Sequence, residues 1–129
     1  MIVQANDSTS TPAGRLSLVV SAPSARVRLV RVAGELDLLT QPQLVDCLDD
    51  VLRTGPRHLV LDLSGVRFMG ASGLHAMVYA KDISEVSGAT LHIAGGGHDA
   101  VAGPMAIVGL DQVLCTHLTW ADALTAITR

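Results

Sequence analysis

Apolar residues recur along this chain with two different periods, which predict strands and helices in turn. Leu16, Leu18 and Val20 recur at every second position, as in a half-buried strand, and residues 26–32 form a second such segment. The short turn at residues 21–24 between them predicts an antiparallel hairpin. The apolar run at residues 58–63 predicts a strand that is buried on both faces.

Helical periodicity follows the hairpin. Thr40 and Gln43 have the spacing of a capping box, Pro42 falls in the first turn, and Gly55 follows the last apolar position. The apolar face of this predicted helix comprises Leu44, Leu48, Val51 and Leu52. The remaining predicted elements are a helix from about Ser72 to Val86, a strand at 90–94, a helix beginning near Pro104, a strand at 112–116 and a helix capped by Thr119.

This order of elements predicts an α/β fold. Alternating strands and helices after a hairpin favour parallel pairing with right-handed crossovers. We therefore expect a mixed, mostly parallel β-sheet of about five strands, the first two an antiparallel hairpin, with about four α-helices. Residues 1–14 are predicted to be a flexible tail, ahead of a single domain at residues 15–129.

Composition narrows the class of protein. The 129 residues suffice for one globular domain, with 49% hydrophobic and 16% charged residues. A net charge of −3 with no basic block, and aromatic residues only at Phe68, Tyr79 and Trp120, argue against a nucleic-acid partner. No apolar run reaches the ~18 residues of a membrane span, and the N-terminus lacks the features of a secretory signal. We expect a cytoplasmic protein without a membrane partner.

The cysteines, histidines and glycines of this chain do not form the sequence motifs of a metal site or a cofactor site. The two cysteines, Cys47 and Cys115, are far apart and belong to no CxxC motif, which favours reduced structural thiols or, alternatively, a regulatory redox pair. The five histidines show no paired metal-ligand spacing with them. Residues 95–97, three glycines, lack the Gly-Lys-Ser/Thr of a nucleotide-binding loop. We expect neither a metal nor a cofactor.

Ser72 is the most informative polar residue because it lies where a buried strand passes into a helix. A hydroxyl at that place can cap the helix, act as a nucleophile or accept a phosphoryl group. The esterase elbow G-x-S-x-G is incomplete, since Leu74 stands where its last glycine would be. We therefore expect no enzyme activity, and the cap and phosphorylation remain.

Two longer motifs decide between these roles. They are residues 34–42, GELDLLTQP, and residues 61–74, LDLSGVRFMGASGL, with a weaker third element at residues 109–111, GLD. In this order they resemble the STAS domain family, specifically the bacterial anti-sigma factor antagonists. The resemblance covers about residues 15–129.

The resemblance implies a protein-binding switch in transcription regulation and stress response. An unphosphorylated antagonist binds an anti-sigma factor that is also a serine kinase of the ATPase type, which frees a sigma factor. The kinase phosphorylates a serine at the start of the second helix, here Ser72, and a PP2C-type phosphatase removes the phosphoryl group. The partner surface that the resemblance implies comprises Asp37, Leu38, Thr40, Phe68, Met69, Gly70, Ala71, Gly73 and His75.

The chain departs from the family pattern at Gly70, where the family usually has an aspartate. This departure keeps a second hypothesis open, namely a STAS binding module that is not phosphorylated. Thiol redox at Cys47 and Cys115, a small ligand or protein abundance would then regulate it. A subunit of a lipid or anion transporter is a third class, which the antagonist-type motifs disfavour.

Overall fold

The fold is organised around a six-stranded sheet whose strands follow one another in chain order. The computed structural model describes the backbone of residues 2–6 and the whole of residues 15–128. The strands are β1 (Ile2–Asn6), β2 (Leu16–Ser24), β3 (Val27–Leu36), β4 (His58–Met69), β5 (Thr90–Ala94) and β6 (Cys115–His117). The helices are α1 (Gln41–Arg53), α2 (Ala71–Val86), α3 (Asp99–Ile107), α4 (Trp120–Thr128) and a short 3₁₀ helix (Leu110–Gln112).

Strand pairing confirms the predicted mixed sheet. β2 and β3 form the antiparallel hairpin, and the pairs β3–β4, β4–β5 and β5–β6 are parallel. One strand was not predicted: β1 pairs antiparallel with β2, with Ile2 opposite Ser21. Residues 2–6, part of the predicted tail, thus lie along the open edge of β2, which offers backbone groups for pairing. Met1, residues 7–14 and Arg129 lie outside the described residues.

The sheet separates two hydrophobic cores. The larger core lies under α1, α2 and α3, and the smaller one under α4. β4 contributes to both: Leu59, Leu61 and Leu63 belong to the larger core and Val60 to the smaller, all fully buried. This confirms the strand that was predicted to be buried on both faces. None of the helices in the described part of the chain is long and apolar enough to cross a bilayer.

The segment before α3 departs from the prediction, which placed the helix start near Pro104. α3 begins at Asp99 and carries Pro104 within it. Just before this helix, the ring of His98 contacts β4, with its Nε2 2.7 Å from the Val66 carbonyl oxygen. Val101 and Met105, four residues apart, are both buried, and this burial offsets the backbone hydrogen bond that proline cannot donate.

Helix capping agrees with the prediction at α4 and differs from it at α1 and α2. The Thr119 hydroxyl accepts the Asp122 N–H at 3.1 Å, which confirms the predicted cap of α4. Thr40 stands at the N-cap of α1, but its hydroxyl makes no cap hydrogen bond. The N-cap of α2 is Gly70, so Ser72 is the second residue of that helix and its predicted capping role is wrong.

β3 passes very close to the preceding chain at Gly34. A Cβ on this glycine would lie 2.0 Å from the Arg15 carbonyl oxygen, and the backbone φ of +111° disfavours any L side chain. The Glu35 N–H donates to the same carbonyl at 2.6 Å. Glycine is therefore required where β3 leads into the loop after it.

We expect Gly34→Ala to lower the free energy of unfolding by about 1–3 kcal/mol from backbone strain, with a further loss from the steric clash. Gly55→Ala is the matched control, because Gly55 has a φ of +79° but nothing within 4 Å of its would-be Cβ. Urea unfolding measures both. Equal losses in the two variants would contradict the close approach at Gly34.

Candidate functional site

The two sequence motifs meet where β3 and β4 end side by side. Leu36 and Met69 are register partners in this parallel pair, and the Gly70 N–H donates to the Leu36 carbonyl at 3.0 Å. The loop at residues 37–40 therefore lies next to the first turn of α2. Segments distant in sequence form one surface at this end of the sheet.

Asp37 shapes the loop. Its Oδ1 accepts the N–H groups of Leu39 and Thr40, each at 3.0 Å, and its Oδ2 accepts a hydrogen bond from Arg15 at 2.5 Å. Burial alone would raise the pKa of the Asp37 carboxyl. The Arg15 guanidinium and the two backbone donors outweigh this effect and hold the pKa below its usual value. Asp37 is thus kept ionised as the acceptor that folds the loop.

Thr40 stabilises the same loop from its buried side. Its hydroxyl donates to the Glu35 carbonyl at 2.6 Å and accepts the Asp37 N–H at 3.0 Å. The side chain is buried, which disfavours its predicted place on the partner surface, and that place stays a prediction. The threonine braces the loop because its hydroxyl satisfies two backbone groups that would otherwise lack partners.

The loop presents two leucines to solvent. Leu38 and Leu39 are 74% and 73% exposed, and the Phe68 side chain, at the end of β4, is 51% exposed. Leu38 and Phe68 were predicted members of the surface, whereas Leu39 was missed. The available signal was that two adjacent leucines occur in a loop between Asp37 and Thr40, where both cannot point into the core.

The start of α2 supplies the other half of the surface. Ser72 is half-buried, and Ala71 and His75 are exposed. Met69 and Gly73 are buried, which disfavours their predicted contacts with a partner, and these contacts stay predictions. A Cβ on Gly73 would lie 2.9 Å from the Leu36 Cβ, which shows that this glycine lets α2 pack closely on β3.

The environment of Ser72 favours an anion. The first N–H groups of a helix have no partner within it, and the helix dipole places positive partial charge at that end. The first turn of α2 contains no acidic residue. Gly70 is half-buried, and a Cβ on it would contact the Phe68 ring at 3.2 Å. A phosphoryl group on Ser72 would therefore meet backbone donors and no nearby carboxylate in that turn.

The two cysteines are not brought together. Cys47 lies in the larger core, where burial and the nearby Asp50 charge raise the pKa of its thiol to about 12. Cys115 is exposed on β6, on the α4 side of the sheet, and both thiols are free. A disulfide requires Cα atoms about 4.4–6.8 Å apart, which residues on opposite faces do not offer. The structure therefore gives no support to a redox pair.

Cys115 instead lies beside His92 and His117. One ligand atom from each side chain falls within 4.8 Å of the others. Sequence spacing missed this cluster, because β5–β6 pairing aligns His92 with Cys115 and no sequence motif records that register.

Comparison with known proteins places the chain in a family. A family model of the STAS domain matches residues 20–123. The chain belongs to the STAS domain family. This STAS domain is 31% identical over 102 residues to the anti-sigma-F factor antagonist RsfB of Mycobacterium tuberculosis, covering 78% of this chain and 81% of RsfB.

Solved structures agree with this assignment. An anti-sigma factor antagonist from Mycobacterium paratuberculosis superposes on this STAS domain with a TM-score of 0.78 and 30% identity, covering 88% of this chain and 95% of the other. Unphosphorylated SpoIIAA, an anti-sigma factor antagonist, shares the fold with a TM-score of 0.68 at 13% identity, covering 87% and 98%.

We expect Asp37→Ala to release the loop. Removing the carboxylate leaves the N–H groups of Leu39 and Thr40 without their acceptor, and hydrogen bonds to charged groups contribute about 1.5–3 kcal/mol. Amide hydrogen exchange at these two residues should accelerate at least about tenfold. Asp46→Ala, on the exposed side of α1, serves as the control and should leave both amides unchanged. Unchanged exchange in Asp37→Ala would refute the role assigned to this carboxylate.

Proposed function

We propose that this STAS domain is an anti-sigma factor antagonist. It binds an anti-sigma factor of the serine-kinase ATPase type and thereby frees a sigma factor for transcription. Phosphorylation of Ser72 ends the interaction, and a PP2C-type phosphatase restores it. The observation that carries the proposal is the exposed apolar surface of Leu38, Leu39 and Phe68 beside Ser72 at the start of α2.

This apolar surface supports a protein partner rather than a small substrate. Large apolar side chains at adjacent exposed positions commonly mark protein interaction sites. Leu38 and Leu39 are held by a loop whose backbone is fixed through Asp37 and Thr40. A preorganised loop loses little conformational entropy on binding, which favours affinity.

Phosphorylation would act on binding and spare the fold. A phosphoryl group adds about −1.5 to −2 charges and three acceptor oxygens. At the start of α2 an anion is favoured by about 0.3–1 kcal/mol, so the domain tolerates it. A partner surface that packs against a neutral hydroxyl meets both a steric clash and the desolvation of a charge. A penalty of about 1.4 kcal/mol already lowers affinity tenfold.

Glycine at position 70 is compatible with a phosphoryl group on Ser72. The N-cap residue has φ −90° and ψ −171°, an extended conformation in which an aspartate side chain could accept first-turn N–H groups. With glycine at this place, no carboxylate competes with the phosphoryl group for these donors or repels it. The loss of the usual aspartate therefore leaves the site able to hold an anion.

The alternative is the same binding surface without phosphorylation, regulated by a ligand, by abundance or by oxidation of the exposed Cys115. Both hypotheses require the anti-sigma factor to contact Leu38, Leu39 and Phe68. They differ at Ser72, since only the first requires a charge at this residue to end binding.

Ser72→Glu tests the switch. We expect it to weaken binding to the anti-sigma factor at least tenfold, because it places a negative charge at the contact surface. Thermal stability should not fall, since glutamate is favoured in the first turn of a helix. The binding partner is first captured on the wild-type chain and accepted only if mass spectrometry identifies a serine-kinase ATPase domain; titration calorimetry then gives the affinities.

Ser87→Glu is the matched control, because Ser87 is exposed at the opposite end of α2. It should bind like the wild type. Incubation with the captured kinase and ATP should add one phosphoryl group to wild type and none to Ser72→Ala. Phosphate uptake by Ser72→Ala, or full affinity of Ser72→Glu, would refute Ser72 as the switch.

Leu39→Ala tests the apolar surface that supports both hypotheses. Burying a leucine side chain contributes about 1.5–3 kcal/mol, so we expect affinity for the same partner to fall at least tenfold. Because Leu39 is exposed, the melting temperature should change little. Val86→Ala, which removes an 83% exposed side chain at the far end of α2, should preserve affinity. Equal affinities in the two variants would exclude Leu39 from the interface.

A further inference from the structure

Three side chains with metal-ligating atoms converge on one face of the sheet at its β6 edge. His92 of β5 lies opposite Cys115 of β6 in the parallel register, and His117 follows Cys115 by two residues, so that all three lie on the same face. α4 packs on this side of the sheet. The cluster is separate from the end of the sheet where Ser72 and the loop at residues 37–40 lie.

The distances suit a tetrahedral ion. His92 Nδ1 lies 3.1 Å from His117 Nε2, and Cys115 Sγ lies 3.5 Å from the same His117 nitrogen. Zinc bonds of about 2.0–2.1 Å to nitrogen and 2.3 Å to sulfur hold two nitrogens about 3.4 Å apart and a nitrogen and a sulfur about 3.6 Å apart. Two of the three ligand pairs therefore already have nearly the required spacing.

A third histidine orients the ligands. His58 on β4 places Nδ1 3.1 Å from Nε2 of His92, the nitrogen that points away from the cluster. When His92 donates its Nε2–H to His58, its Nδ1 lone pair faces Cys115 and His117. Histidines that bind metals usually have such a second partner, which fixes the tautomer and the ring.

We propose that His92, Cys115 and His117 bind one Zn²⁺ ion. Two imidazoles and a thiol match a borderline-soft transition metal, whereas Mg²⁺ and Ca²⁺ require oxygen ligands. On binding, the Cys115 thiol releases its proton to solvent and its sulfur forms a bond to zinc as the thiolate. The exposed position of Cys115 leaves the fourth coordination site to water.

Cobalt substitution tests this site, because Co²⁺ occupies zinc sites and gives visible spectra. Titrating the full chain, without a polyhistidine tag, should produce a thiolate-to-cobalt charge-transfer band and tetrahedral d–d bands that saturate at one equivalent. Added Zn²⁺ should abolish both. Cys115→Ser should lose the charge-transfer band, and because Cys115 is exposed this variant should keep the circular dichroism spectrum of the wild type.

Matched variants identify each ligand. Cys47→Ser removes the other thiol, on the opposite face, and should retain the charge-transfer band. His117→Gln should weaken cobalt binding at least tenfold, and His75→Gln, an exposed histidine on α2, should not change it. His58→Gln should keep the spectrum but lower affinity about 10–100-fold, as expected for an orienting histidine.

Two results would overturn the proposal. One is the absence of a thiolate band in the wild-type chain at saturating Co²⁺. The other is persistence of that band in Cys115→Ser. Binding of the anti-sigma factor enters neither readout, so the metal site and the proposed function fail or succeed independently.

Discussion

Parallel pairing between β3 and β4 is the constraint on which the rest of the structure depends. β4 buries Leu61 on one face and Val60 on the other, and each buried aliphatic side chain stabilises the fold by about 1.5–3 kcal/mol. A slip of one residue would exchange the two faces, so the register is strongly specified. The same register makes Leu36 and Met69 partners. The loop after β3 and the start of α2 are adjacent for that reason.

The candidate site divides its residues between support and contact. Asp37 and Thr40 satisfy backbone groups within the loop, while Gly73 lets α2 approach β3. These residues fix a loop that leaves Leu38 and Leu39 in solvent, where the isolated chain gains no burial from them. The proposed partner would remove this apolar surface from water. In the proposed switch, a charge on the Ser72 hydroxyl beside this surface would oppose binding, because it would have to be desolvated at the contact.

The two faces of the sheet differ in chemistry. The larger core is almost entirely aliphatic, and it includes the inert Cys47 thiol. The face under α4 combines a small aliphatic core with a line of histidines, His58, His92 and His117, joined through their ring nitrogens. Buried polar groups persist in proteins when they find partners. Here the His58–His92 contact is a hydrogen bond between ring nitrogens, and in the proposed zinc site the facing nitrogens of His92 and His117 become ligands of the ion.

From β2 onward, the sequence alone was enough to predict the order and type of the strands and α-helices, because strand and helix periodicities are local, and it contained both family motifs. It also located Ser72 at a helix start. Only the tertiary structure shows which side chains support the loop, which are exposed and which meet across the sheet. Thr40 turned inward and Leu39 outward because the loop closes around Asp37. His92 lies beside Cys115 because of the register in which β5 and β6 pair. Pairing between distant strands depends on packing, which no local sequence pattern contains.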